Sequence, residues 1–217
     1  PGPTITSVDG ESHYIGSYGI SMALDQTGNQ HISYYNASAS SLMYARYDGS
    51  SWQSEEVDNG GSSGTYSSIA IDSSGNPHIS YVNTTPNPDA VMYAHHNGTA
   101  WTIEVIDATP YYAYDTSIDL DSSGNPHISY AVYNSTGSSY NLRYSYHNGS
   151  EWAYDDIKDY RSSNWNSYSH TGKNNQIKLN STDVPHVVFF EDYYDDVYLS
   201  VRVNGSWSSS SVDDYGG

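Results

Sequence analysis

The chain has 217 residues, no cysteine, and 25 Asp and Glu against 7 Lys and Arg, a formal charge of -18. Phosphate backbones and anionic bilayers need a basic surface, so nucleic-acid and membrane-surface binding are excluded; the missing thiols remove disulfides, thiolate metal sites and a cysteine nucleophile. No stretch is apolar for long enough to span a bilayer, so no membrane insertion is expected. Because the chain opens on Pro1, a leader or longer upstream region is expected to have been removed.

Short runs in which β-branched and aromatic residues alternate with polar ones read as strands. The first, Thr4-Ile5-Thr6-Ser7-Val8-Asp9, stands alone. Thereafter one pattern recurs. Ile20 to Tyr34, Ile69 to Tyr81, Ile118 to Tyr130 and Ile177 to Phe189 are four copies of a strand, a turn and a second strand, typified by Asp72-Ser-Ser-Gly-Asn-Pro-His-Ile-Ser-Tyr81. Each is followed by a third strand ending in Asp48-Gly49, Asn97-Gly98, Asn148-Gly149 or Asn204-Gly205, and by a fourth beginning at Trp52, Trp101, Trp152 or Trp207.

One repeat thus holds four strands, a to d, over about fifty residues, the length of a propeller blade. The expected fold is all-β: a single propeller domain, residues 1–217, of four four-stranded blades (about 10–58, 59–108, 109–159 and 160–214) with an extra N-terminal outer-type strand at 4–9. In the a–b turn, Asp-x-x-Gly suits a type I turn followed by a left-handed residue, with Asp capping and Gly taking positive φ. Asn180 and Asp183 fill those positions in the fourth copy.

The Asp48-Gly49-Ser50-Ser51-Trp52 turn resembles part of the Asp-box between the outer strands of sialidase-type propeller blades, and Gly-Asn-Pro-His-Ile-Ser-Tyr resembles repeats of extracellular propellers on bacterial and archaeal surfaces. The resemblance implies architecture and an extracellular or cell-surface location; function does not follow from a propeller fold.

The fourth repeat has its own d candidate at 208–213, so the chain owns one outer strand too many. In one reading residues 4–9 close the ring and 208–217 are a tail. In the other the surplus strand pairs with a neighbouring subunit, giving head-to-tail self-association, filamentous where the rotation does not close.

His31, His78, His127 and His186 hold equivalent positions and could ring a metal, but a repeated His in a sheet covered on both faces reads first as a buried hydrogen-bonding residue. The four repeated Trp read as filler between blades, with sugar stacking as the functional alternative. The acidic pairs Asp155-Asp156, Glu191-Asp192 and Asp195-Asp196 read as solvated charge. Weak calcium binding is the one cofactor role they leave open; otherwise no cofactor is expected.

Seven sequons occur, at Asn36, Asn83, Asn97, Asn134, Asn148, Asn180 and Asn204. The first, second and fourth follow strand b, and Asn97, Asn148 and Asn204 lie in the c–d turn, all expected surface loops where a covalent glycan fits. An insertion at 159–175 carries Arg161, Trp165, Tyr168 and His170, the candidate ligand-binding residues. No nucleophile or phosphate-loop motif occurs, and Arg46, Arg143, Arg161 and Arg202 are too few for a sialidase site. No catalytic residue is expected. The leading expectation is therefore a non-catalytic, N-glycosylated surface or secreted structural protein that assembles with itself. The alternative is a carbohydrate-binding propeller, with a sialidase-like hydrolase behind it.

Overall fold

The computed structural model describes residues 8, 15–85, 89–108, 110–134, 139–160, 171–191 and 196–212. They form sixteen antiparallel strands in four sheets, one sheet per repeat, each in simple meander order. Blade 1 is β1 (Ile15–Leu24), β2 (Gln30–Asn36), β3 (Ser41–Tyr47) and β4 (Trp52–Asp58). Blade 2 is β5 (Ser63–Ile71), β6 (Pro77–Asn83), β7 (Ala90–His96) and β8 (Trp101–Asp107). Blade 3 is β9 (Tyr112–Leu120), β10 (Pro126–Asn134), β11 (Ser139–His147) and β12 (Trp152–Tyr160). Blade 4 is β13 (Thr171–Leu179), β14 (Pro185–Glu191), β15 (Asp196–Val203) and β16 (Ser206–Ser211). This is the propeller read from the repeat. The inner strands pack in series, β1 on β5, β5 on β9 and β9 on β13; among the described residues no comparable packing joins β13 to β1.

The a–b turns form as the sequence dictates. Asp72 Oδ1 accepts the backbone N–H groups of Ser74 and Asn76, and Asp25, Asp121 and Asn180 repeat the pattern. Gly75 has φ 84° and Asp183 takes the same left-handed conformation at 59°. A short polar side chain tolerates that region, which is why the fourth turn survives without glycine.

The middle strands of blade 2 are covered on both faces, so β6 is buried along its whole length. At each of the three junctions one face of a blade meets the blade after it. Leu42, Tyr44 and Val57 of blade 1 pack against Ile69, Ile79 and Met92 of blade 2, and the next two junctions repeat this pattern. Close approach of an inner strand to the preceding blade needs a missing side chain. A Cβ on Gly64 (φ 107°) would lie 2.7 Å from Leu42 Cα, and one on Gly172 3.0 Å from the Leu142 side chain.

Each inner strand carries a bulge at one equivalent position, and β5 and β13 each slip once more near their start. Gly19, Tyr66, Asp115 and Asn174 are structurally equivalent, and all four have positive φ, between 48° and 101°. The register slips there, for example between Thr65–Val82 and Ser68–Ser80. The extra residue bends the strand. The freed carbonyl finds a partner on the following blade: Thr116 Oγ1 donates to the Tyr66 carbonyl at 2.7 Å, and Asn175 Nδ2 to that of Asp115.

One expectation fails. Residues 208–211 are not a tail: β16 pairs with β15 from Val203–Ser206 to Tyr198–Ser211, and Trp207 anchors it on blade 3. Blade 4 therefore has its own outer strand. Of the extra strand at 4–9, only Val8 lies among the described residues, where it packs near Ile32, Tyr34 and Ala45.

Gly64→Ala meets both left-handed strain and the Leu42 backbone, and we expect a loss of more than ~2 kcal/mol. Gly75→Ala has left-handed φ but nothing within 4 Å, and should cost only about 1 kcal/mol. Urea unfolding of the two variants measures the difference.

Candidate functional site

In a meander blade the a–b and c–d turns share one end of the propeller, and the b–c and d–a loops share the other. At the second end lies a cleft of about 450 Å3 built from three blades. Tyr35 comes from blade 1, Tyr66, Thr84 and Asp89 from blade 2, and Tyr112 and Tyr114 from blade 3. The bulge places Tyr66 edge-on to Tyr114, with ring centroids 5.9 Å apart. Tyr112 stacks on Tyr133 at 6.3 Å and meets Tyr111 edge-on at 4.7 Å. Tyr112 is 44% exposed, and Tyr111 against it, outside the lining, is 38% exposed, so the cleft offers wet aromatic surface beside its hydroxyls. Asp89 is 7% exposed and accepts the Ala113 backbone N–H at 3.0 Å. Burial raises its pKa above the ordinary carboxylate value, and that hydrogen bond opposes the rise. A concave site with aromatic walls and a few fixed polar groups is suited to a polyhydroxylated ligand, whose rings bury one face and whose hydroxyls need partners.

The repeated histidines do other work. Nδ1 of His31, His78 and His127 lies 2.5–2.6 Å from the hydroxyl of Tyr44, Tyr93 and Tyr144 respectively. Nε2 of each faces the turn carboxylate of Asp25, Asp72 or Asp121 at 3.7–3.8 Å. The carboxylate favours a proton on Nε2, which leaves Nδ1 to accept from the tyrosine. Each tyrosine ring in turn receives the edge of a tryptophan from the next blade, Trp101, Trp152 or Trp207, at 5.1–5.4 Å. In blade 4 Leu199 replaces the tyrosine, and His186 Nδ1 donates to the Val184 carbonyl instead. The histidines thus tie turn, sheet and neighbouring blade together rather than forming a ring around the channel. Among the described residues no group of three metal-ligating side chains converges.

Trp101, Trp152 and Trp207 lie between blades, as expected, whereas Trp52 packs within blade 1; Trp101 and Trp152 donate Nε1–H to Glu55 and Glu104 of the preceding blade, each at 3.0 Å. The acidic pairs are less solvated than expected. Asp155 holds Arg202 at 2.7 Å, Asp156 holds Arg143 at 3.0 Å, and Glu191 is fully buried. Asn97, Asn148, Asn180 and Asn204 are exposed, but Asn36 and Asn83 are 3% and 6% exposed. These last two are final strand residues rather than loop residues; Asn36 Oδ1 accepts from Ser38 and Ala39, and Asn83 Nδ2 donates to the Gly60 carbonyl. The Asn134 side chain and the ligand candidates Arg161, Trp165, Tyr168 and His170 lie outside the described residues. The tyrosine cleft itself had no sequence signal, because its walls come from three separate repeats.

No protein-family model matches the chain, and no curated protein does. Solved structures do resemble it. The α-L-arabinanase of Penicillium chrysogenum complexed with arabinobiose superposes with a TM-score of 0.66 at 10% identity, over 91% of this chain and 67% of that one. The α-L-arabinofuranosidase of Fusarium graminearum with an iminosugar inhibitor gives 0.66 at 12%, over 94% and 69%. A polysaccharide lyase, an ulvan lyase, gives 0.61 at 13%, over 92% and 59%. The chain therefore spans between about six and seven tenths of the length of these proteins. At such identities the likeness establishes the propeller fold, in agreement with the sialidase-type resemblance of the blades. It also overturns the expectation that the chain is not an enzyme. That expectation rested on missing local motifs, yet these catalysts share the fold, and a site gathered from several blades leaves no motif in any one stretch.

Burial pushes His78 down to about 4 from 6.5, and His31 and His127 are lowered for the same reason. The unfolded chain then binds more protons across that window, so the stability from neutral His78 is complete above pH 6.5 and is lost as pH falls towards 4. We expect the unfolding midpoint in urea to drop over this range, and His78→Gln to flatten the drop by up to ~1.4 kcal/mol per pH unit. An unchanged pH slope in the variant would contradict the assignment.

Proposed function

We propose that this propeller binds a carbohydrate in the cleft of Tyr35, Tyr66, Tyr112 and Tyr114 with Asp89. The observation that carries the reading is the convergence of four tyrosines and a buried carboxylate from three blades on one open hollow. It is supported by the fold, which is shared with an arabinanase complexed with arabinobiose and with a polysaccharide lyase. Tyr111 and Tyr112 offer the stacking surface, Thr84 and the tyrosine hydroxyls orient the sugar, and Asp89 accepts from its hydroxyls. Titration calorimetry against a panel of neutral and acidic oligosaccharides tests this. A ligand should be found, and Tyr112→Ala should weaken it roughly three- to tenfold, the worth of one aromatic contact. The control, Tyr154→Ala, removes a more exposed tyrosine from the outer strand of blade 3 and should change nothing. No ligand in the panel, or equal affinity in both variants, would refute the reading.

We further propose an extracellular glycoprotein, on the strength of sequons exposed in the tight turns. Thr99 and Ser150 hydroxyls donate to the side-chain oxygens of Asn97 and Asn148 at 2.7 and 2.8 Å, which brings each acceptor asparagine against its own sequon hydroxyl. Mass spectrometry of native material should find glycan on Asn97, Asn148, Asn180 or Asn204 and none on the buried Asn36 and Asn83. Bare asparagine at all four exposed sequons would end the claim.

A further inference from the structure

We infer that blades 1 and 4 carry the two halves of one more blade-to-blade interface, and that these halves meet head to tail between two copies of this chain. The first half lies on β1. Its Met22 is 62% exposed, whereas the equivalent Ile69, Ile118 and Ile177 are 6%, 2% and 0% exposed beneath the preceding blade. Ile20 and Leu24 beside it are 69% and 56% exposed. Val8 packs against the cluster of Ile32, Tyr34 and Ala45 further out on the same face. The second half lies on blade 4. Val197, Leu199 and Val201 on β15 and Val188 on β14 are partly exposed, and Val212 is 63% exposed. Their counterparts Leu42, Val91 and Leu142, at the position of Val197, are all fully buried under the following blade.

The two faces match each other in detail. At each internal junction one pair of positions is polar on both sides: Ser33 bonds Ser67 at 3.0 Å, Ser80 bonds Thr116 at 2.8 Å, and Ser129 bonds Asn175. At the open ends the same two positions are Val188 and Ile20. A hydrogen-bonding position turned apolar on one face alone would leave its partner unsatisfied; turned apolar on both, the pair packs. The position of Tyr44, Tyr93 and Tyr144 likewise becomes Leu199, and that of Arg46, His95 and Tyr146 becomes Val201. These are the marks of a junction that continues the three already in the chain with a drier contact. Because, among the described residues, no packing comparable to that of the internal junctions joins β13 to β1, the second copy is the occupant that offers the complementary half. Either half is heterologous to the other, so each copy has both and the contact propagates.

The cysteine-free sequence makes the test direct. Light scattering of the wild-type chain over a concentration series should show mass rising with concentration. Met22→Glu, at a side chain already in water, should leave the fold intact by circular dichroism and shift self-association to concentrations at least about tenfold higher. An Ile20→Cys, Val188→Cys double variant, mildly oxidised, should give a ladder of disulfide-linked multimers. A wild-type chain that stays monomeric at every concentration would overturn the proposal. So would association unaffected by Met22→Glu, or a double variant that forms only a disulfide within one copy.

Discussion

Each blade is joined to the next by an indole edge resting on a tyrosine ring. The tyrosine sits on the third strand of one blade and the tryptophan opens the outer strand of the following one. The tyrosine is held from behind by the imidazole that its hydroxyl meets, and the imidazole faces the carboxylate that caps the a–b turn. One unit therefore couples turn conformation, strand pairing and blade stacking. It explains why Asp, His, Tyr and Trp recur together in three repeats. In the fourth the tyrosine is missing, and the Leu199 in its place lies partly open.

Stacking in this manner forces the inner strands close to the preceding blade, and the accommodations made there shape the end that carries the tyrosine cleft. Gly64 and Gly172 remove side chains where backbone meets backbone. The bulges then turn Tyr66, Asp115 and Asn174 into a left-handed conformation. Tyr66 thereby reaches Tyr114 of the next blade, and with Tyr112 and Asp89 it walls a hollow that no single blade could form.

The architecture was legible because the repeat writes its turns and its outer-strand tryptophan in the same letters each time. The bulge was not: Gly19, Tyr66, Asp115 and Asn174 share a backbone conformation and no side-chain chemistry. One reading took the outer strand of blade 4 for a tail because serine fills five of the six positions of β16, a run with little alternation to read beyond Trp207. Asn36 and Asn83 looked like loop residues because polar residues follow strand b, whereas the pairing of β2 with β3 and of β6 with β7 extends to include them. The His–Tyr contact escaped because it crosses from one strand to the next off the direct register, in which His31 faces Arg46 rather than Tyr44. The cleft escaped for a related reason, since proximity across three blades has no counterpart in spacing along the chain.

The central claim is that tyrosine and tryptophan act as a coupled pair across each junction. A double-mutant cycle on Tyr93→Leu and Trp152→Leu, read by urea unfolding, measures that coupling directly. The account predicts an interaction energy of ~0.5–1.5 kcal/mol, the value of an edge-on aromatic pair beyond its buried area. Strict additivity of the two substitutions would contradict it.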